Sequence, residues 1–333
     1  MLTDLAFSDL FVAEDPRLCW FKPTPDSLKC EPVSEELTVE ITQLRTYLDG
    51  IRGSTEFRVV WPQKGSQQHP LRVKKMFVAE GKVVYICRRY RMPAGSLMSL
   101  GMPKAVATKL LDANKKAGLY IFFGKTGSGK TTTAASFVLE RLHQYGGVCI
   151  TAENPIELDL QGPQGKGWCY QTEVDSDDAV GERVKDMMRA SPNIIFIGEI
   201  RTAGAARVAI TAGNSGHIVV ATHHSADLTS GLSRLAWLAG DEEAKGALAD
   251  AFQMGVHLCL YNADPSSIPS SAFTIPDSQG TGTPPRVLSV EPLWKSDENA
   301  SSIASAIRDG QFHMLKNEIN LQRRRLMNGG PLP

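Results

Sequence analysis

One stretch constrains this chain more than any other: Gly124-Lys125-Thr126-Gly127-Ser128-Gly129-Lys130-Thr131, which follows the apolar run Leu119-Tyr120-Ile121-Phe122-Phe123 and precedes Thr132 to Leu139. Spacing and context are those of a phosphate-binding loop, in which a strand enters, a glycine-rich turn reverses and a helix begins. Glycines at 124, 127 and 129 open backbone angles closed to other residues and let successive N–H groups converge on an anion. The first helical turn adds its unpaired N–H groups and the positive end of the helix dipole. The Lys130 ammonium would reach β- and γ-phosphate oxygens, and the Thr131 hydroxyl would sit on Mg²⁺. Gly124, Thr126, Gly127, Ser128, Gly129, Lys130, Thr131 and Thr132 are therefore the candidate nucleotide contacts.

At 333 residues the chain exceeds the usual size of a single core, so two domains are expected. Hydrophobic residues at 42% suffice to bury them. Lys+Arg 36 balances Asp+Glu 36, which leaves no global basic field to recruit nucleic acid or anionic lipid. The six cysteines are scattered, without a Cys-x-x-Cys pair or metal-ligand spacing, and read as reduced thiols. No apolar run is long enough to cross a bilayer, and the N-terminus, with Asp4 and Asp9, lacks a basic-then-apolar signal. A soluble, cytoplasmic protein able to dock on a membrane complex is expected.

Residues 1–92 read as a mixed α/β module. Short strands are predicted near Asp9–Val12 and Leu18–Phe21, and a helix over Val33–Leu48, with apolar Val33, Leu37, Ile41, Leu44 and Leu48 and Ser34 as N-cap. Strands resume from Glu56 and from Leu71, and again over Lys82–Cys87. Arg88, Arg89 and Arg91 lead into Pro93-Ala94-Gly95, so 93–104 reads as a linker. Beyond it, over 105–333, helices and strands alternate, the sign of a parallel sheet flanked by helices.

In that second region residues 161–170 read as a loop, and a helix is predicted over Ser176–Arg189. Buried strands follow at Ile194–Ile197 and Ile218–Thr222. Helices are predicted at 227–238 and 242–255, then a strand over Val256–Tyr261. The Ser-, Pro- and Gly-dense stretch 264–285 reads as a long exposed loop.

Three strands end in polar clusters: one predicted over Val148–Ile150 runs into Glu153/Glu157, and the strands at Ile194–Ile197 and Ile218–Thr222 end at Glu199/Arg201 and His223/His224. Ligands of an open parallel sheet gather at the carboxyl ends of its strands, so these clusters are expected to face the nucleotide. Glu199 is assigned the water-activating role, and Glu153 is the second carboxylate on the magnesium side, since Gly198 stands where an aspartate would be usual. Thr131, Glu153 and Glu199 are the candidate metal ligands. His224 would contact the γ-phosphate or the partner of the attacking water, with His217 and His223 as weaker candidates.

These clusters, in this order, resemble the ATPases of the type II/type IV secretion and type IV pilus family. Glu153-Asn154-Pro155-Ile156-Glu157 resembles that family's Asp box, Gly198-Glu199-Ile200-Arg201 its Walker B, Gly216-His217 with Thr222-His223-His224-Ser225 its His box, and Ser8-Asp9-Leu10 the opening of the N-terminal domain. The resemblance implies an N-terminal PAS-like α+β domain followed by a RecA-like ATPase domain with C-terminal helices. It also implies a homo-hexamer that uses ATP and Mg²⁺ to drive an inner-membrane platform protein of a pilus or secretion apparatus. Arginines from the N-terminal side would complete the site, Arg88 and Arg89 first, with Arg58 and Arg72 as further candidates. Asn154 departs from the usual aspartate, as does Thr202 after the Walker B arginine, and either change is expected to slow turnover. Ala306-Ile307-Arg308-Asp309-Gly310-Gln311 is similar to a helix motif of pilus-retraction motors, and the four-cysteine zinc motif of many assembly motors is missing. Both features favour a retraction-like motor or a type IVB secretion or conjugation relative.

Two alternatives compete with a motor ATPase. One is a nucleotide-gated ring-assembly protein that hydrolyses little, suggested by Asn154. The other is a RecA-type nucleic-acid translocase, against which stands the lack of an aromatic and basic stripe.

Overall fold

The computed structural model describes residues 2, 5, 7–23, 27–53, 55–62, 69–89, 95–114, 117–262, 273–275 and 286–333. The chain divides into two compact units, Met1–Met92 and Pro93–Pro333.

The first unit holds strands β1 (Asp9–Val12), β2 (Trp20–Lys22) and β3 (Glu31–Pro32), helix α1 (Thr38–Asp49), and strands β4 (Glu56–Trp61), β5 (His69–Phe77) and β6 (Val83–Arg89). They form one antiparallel sheet in the order β3-β2-β1-β6-β5-β4. Ile41, Leu44 and Leu48, spaced for one helical face, bury α1 in a core with Leu10, Val12, Val73 and Tyr85. The helix starts later than its apolar pattern predicts. The Val33 amide donates to the Cys19 carbonyl at 3.0 Å, which keeps that residue with the sheet, and a 3₁₀ turn over Glu35–Leu37 intervenes. Ser34 precedes that turn without making a side-chain cap.

The second unit opens with α2 (Lys104–Leu110), β7 (Gly118–Gly124), α3 (Lys130–Tyr145) and β8 (Gly147–Glu153). Next come β9 (Gly162–Gln164), β10 (Gly167–Glu173), α4 (Ala179–Arg189), β11 (Ile194–Ile197), α5 (Ala203–Asn214) and β12 (Ile218–His224). The chain continues through α6 (Leu228–Ala239), α7 (Glu242–Ala251), β13 (Phe252–Asn262), β14 (Phe273–Ile275), β15 (Arg286–Trp294), α8 (Ala300–Arg308) and α9 (Leu315–Met327).

Nine strands make one sheet in the order β14-β15-β13-β7-β12-β11-β8-β10-β9. From β13 to β10 its neighbours run parallel, and β15, β14 and β9 add antiparallel edges. Side chains of β7 alternate between two cores. Leu119, Ile121 and Phe123 pack with residues of α4 to α8 on one face, whereas Tyr120 and Phe122 pack with α2 and α3 on the other. A strand covered on both sides has no polar face, which is why the run before the phosphate loop is apolar throughout.

Several expectations are corrected. Residues 161–170, read as a loop, are largely strand: β9 and β10 form a hairpin, and β10 pairs in parallel with β8 from Gly167↔Gly147 to Glu173↔Glu153. The glycines and proline there mimic a loop composition, yet exposed Trp168 and Tyr170 flank buried Cys169, a period of two. Helix α7 stops at Ala251, not 255, because Phe252 already pairs with Leu119 and the ladder with β7 then passes a bulge between Phe252 and Met254. Helix α4 begins at Ala179, leaving Ser176 and Asp177 in the preceding loop. Within the stretch 264–285, residues 273–275 form β14 against β15, and the rest lies outside the described residues. Arg91, Pro93 and Ala94 also lie outside them. Among the described residues no helix is long and apolar enough to cross a membrane.

Candidate active site

The parallel strands deliver their carboxyl ends to one side of the sheet, and registry fixes which residues meet. His224 is paired with Gly124, Ala221 with Ile197, and Ile197 in turn with Ala152. The loop after Phe123, the Glu199 segment after Ile197 and Glu153 therefore share one edge, the place where an open sheet of this kind receives ligands.

The loop itself is a cradle. Gly124, Gly127 and Gly129 hold positive φ angles of 150°, 79° and 89°. At Gly124 a Cβ would lie 2.5 Å from the Leu258 carbonyl oxygen, so only glycine fits between the two strands. Lys130 begins α3 and is buried, with Nζ donating to the Lys125 carbonyl at 2.9 Å across the loop. Burial pushes its ammonium below the ordinary lysine range, against the opposing pull of the Glu199 and Glu157 charges. Ser128 is buried, and among the described residues its hydroxyl has no partner. An unsatisfied hydroxyl, a desolvated ammonium and a helix N-terminus in one loop fit an oxyanion such as a phosphate. Thr131 and Thr132 occupy the first turn of α3, both partly exposed.

Around the loop the predicted residues take different positions. His224 Nε2 accepts the amide N–H of Thr126 at 3.2 Å, which joins the end of β12 to the loop apex. A recess of about 500 Å³ opens there, lined by Lys125, Thr126, His224, Ser225, Ala226, Ser230 and Arg234. His223 points the other way. It is buried, its Nδ1 lies 2.7 Å from the Ile200 carbonyl, its ring stands edge-on to Phe123, and burial lowers its basicity. His217 is at the opposite end of β12, with Nδ1 2.7 Å from the Pro192 carbonyl, remote in register from the loop.

Glu199 is bound by Arg201, whose Nη2 lies 2.8 Å from Oε2. Glu153 is almost fully buried, and its Oε1 accepts from Gln171 Nε2 at 2.9 Å. Desolvation lifts its carboxyl to about 7, against hydrogen bonds from Thr151 and Gln171. Gly198 packs beside it, and a Cβ at that position would lie 3.3 Å from Glu153 Cγ, a tight contact.

Arg88 and Arg89 belong to β6 of the first unit. Arg88 Nε donates to Oδ1 of buried Asp9 at 2.6 Å, and the Arg89 guanidinium lies over the Phe7 ring at 4.4 Å. Arg72 pairs with Glu56 on the neighbouring strand.

Sequence reading missed two participants. Gln171, just past the stretch 161–170 expected to be loop, is the hydrogen-bond donor to Glu153, and no local pattern marks it for that role. Asp177 accepts from Asn154 Nδ2 at 3.1 Å and pairs with Arg201 Nη1 at 3.3 Å. The acidic run Asp175-Ser176-Asp177-Asp178 was the available signal.

Residues 58–260 match the family described as type II/IV secretion system protein. Competence protein ComGA of Bacillus subtilis is 32% identical over 162 residues, 47% of this chain and 42% of that protein. Type II secretion system protein HxcR of Pseudomonas aeruginosa is 36% identical over 140 residues, 42% of this chain and 29% of that protein. The matches thus span less than half the length of these relatives. Among solved structures, the pilus retraction motor PilT with bound ADP shares the fold at a TM-score of 0.69 and 20% identity, covering 99% of this chain and 92% of that one. The Legionella pneumophila ATPase DotB does so at 0.67 and 16%, covering 94% and 84%. With the family match extending over more than half of its residues, this chain belongs to the type II/IV secretion system protein family.

Proposed function

We propose that the chain hydrolyses ATP with Mg²⁺ as a subunit of a homo-hexameric motor. The motor would serve a type IV pilus or a type II/IV secretion apparatus, acting on an inner-membrane platform protein from the cytoplasmic side. A retraction-like or type IVB role is the version favoured. The observation that carries this reading is the gathering, around one glycine cradle, of buried Lys130, of the Glu199 and Glu157 charges that act on it, and of His224 bonded to Thr126. Family membership and the fold shared with PilT and DotB support it. The first unit, an antiparallel sheet carrying one helix, is read as the PAS-like domain.

In this reading the loop amides and Lys130 bind the phosphates, and Glu199 orients the attacking water and accepts its proton. His224 sits at the loop apex, beside the γ-phosphate end. Bound Mg²⁺ would neutralise phosphate charge, held by Thr131 together with phosphate oxygens and water, with Glu199 and Glu153 as the nearby carboxylates. Glu153 must turn from Gln171 to take part.

Steady-state ATP turnover tests the assignment. Lys130→Ala is expected to lose nucleotide binding and hydrolysis, and Glu199→Gln to keep binding and lose turnover. A Lys130→Ala variant with wild-type turnover would overturn the reading. Mass measurement with and without nucleotide tests the ring, and a monomer under both conditions would remove the hexamer. A nucleotide-gated assembly protein with little turnover is the second reading, favoured by the Arg201 contact that occupies Glu199 at 2.8 Å. Negligible turnover together with nucleotide-dependent assembly would select it.

A further inference from the structure

The Arg201 guanidinium is a fork with two ends, and the structure spends them on different carboxylates. Nη2 lies 2.8 Å from Glu199 Oε2, while Nη1 reaches both oxygens of Asp177, at 3.4 and 3.3 Å. Among the described residues Oε1 of Glu199 accepts no hydrogen bond. An arginine and a carboxylate frequently pair through two parallel N–H donors. Here the second arm of Arg201 is directed at Asp177 instead.

Asp177 is held from two further sides. Asn154 Nδ2 donates to its Oδ1 at 3.1 Å, and the Thr202 hydroxyl reaches its backbone carbonyl at 3.4 Å. An aspartate at 154 would set a second negative charge against Asp177 at hydrogen-bond distance and would lack the N–H that now bridges them. Asn154, Thr202 and Asp177 therefore form one arrangement, its carboxylate coming from the loop before α4.

Building on the ATPase reading, we infer that Asp177 is a positioning residue for Glu199, drawing one arm of Arg201 away so that Glu199 keeps a free oxygen for the attacking water, and that Asn154 is the amide that permits Asp177 to sit there. Asp177 acts through Arg201, with which it pairs at 3.3 Å. The Asp177 side chain is about a third exposed, 36%, so its substitution leaves the fold in place.

The test is ATP turnover and binding of a non-hydrolysable ATP analogue in the full chain. Asp177→Asn is expected to lower kcat by at least about tenfold, a fraction of a general base's worth, with analogue Kd changed by less than about twofold. Asp177→Glu is expected to retain most of kcat. Asn154→Asp alone is expected to lower kcat, because it sets a second carboxylate against Asp177 and removes the N–H that bridges them. Wild-type kcat in Asp177→Asn overturns the inference while leaving the ATPase reading intact. Absence of Lys130-dependent hydrolysis in the unmodified chain removes both.

Discussion

The imidazole of His224 and the backbone amide of Thr126 are hydrogen-bonded at 3.2 Å, so the last residue of one buried strand closes on the apex of the loop that follows its neighbour. The bond uses an N–H that would otherwise be open to an anion, and it exists because the β7–β12 ladder places His224 opposite Gly124. Removing the imidazole forfeits one neutral hydrogen bond, about 1 kcal/mol, and leaves the remaining loop donors in place. His224→Ala is therefore expected to bind nucleotide within about fivefold of the unmodified chain, that hydrogen bond being the only loss. Its turnover is expected to fall by about tenfold or more. Equilibrium binding and steady-state rates check this, and unchanged turnover would leave His224 a purely structural contact.

Glu153 gives a pH signature. Its folded-state value of about 7 stands above the ordinary 4.5, so the folded protein holds this proton more tightly than the unfolded chain. The stability it contributes is complete below about 4.5 and is lost as pH rises through 7, a change of about 3 kcal/mol for a shift of this size. In nucleotide-free protein, Glu153→Gln is expected to match the unmodified chain near pH 5 and to melt higher at pH 8. Parallel melting-temperature profiles for the two proteins would contradict the buried, proton-holding carboxyl.

The first glycine of the loop is fixed by packing as much as by φ. A Cβ at Gly124 would stand 2.5 Å from the Leu258 carbonyl and 2.4 Å from Ser128 Oγ. The carbonyl belongs to backbone and cannot swing aside. Gly124→Ala is expected to destabilise the second unit by about 1–3 kcal/mol, the cost of overpacking, and to abolish nucleotide binding. Denaturant unfolding measures the first effect, and an unaltered midpoint would show that β13 yields.

Asp9 and Arg88 offer a test confined to the first unit. Buried Asp9 accepts from Arg88 Nε at 2.6 Å and from the Ser8 hydroxyl at 2.9 Å. Asp9→Ala strips Arg88 Nε of its acceptor, while the Ser8 hydroxyl keeps the Lys22 carbonyl at 3.2 Å, and it is expected to cost about 1–3 kcal/mol, a charge-assisted bond's worth. Unfolding followed by tryptophan fluorescence, which Trp20 and Trp61 of this unit report, checks it. No loss of stability would mean that solvent replaces the aspartate at no cost.

What the amino-acid order determined by itself was local and periodic. Three glycines at fixed spacing between an apolar run and a helical pattern dictate a tight turn from strand to helix, and runs such as Ile194–Ile197 have no polar face and must be buried strands. Such patterns act over a few residues, so they are visible before folding. Only the tertiary structure decided where the charges around that turn settle. It turned Glu153 into the interior against Gln171, gave His223 to the Ile200 carbonyl and His224 to the loop, and set Asp177 between Asn154 and Arg201. These partners lie 18 to 98 residues apart in the chain. Their meeting depends on strand order and register, which no local spacing encodes, and burial then lifts the Glu153 carboxyl above the ordinary range.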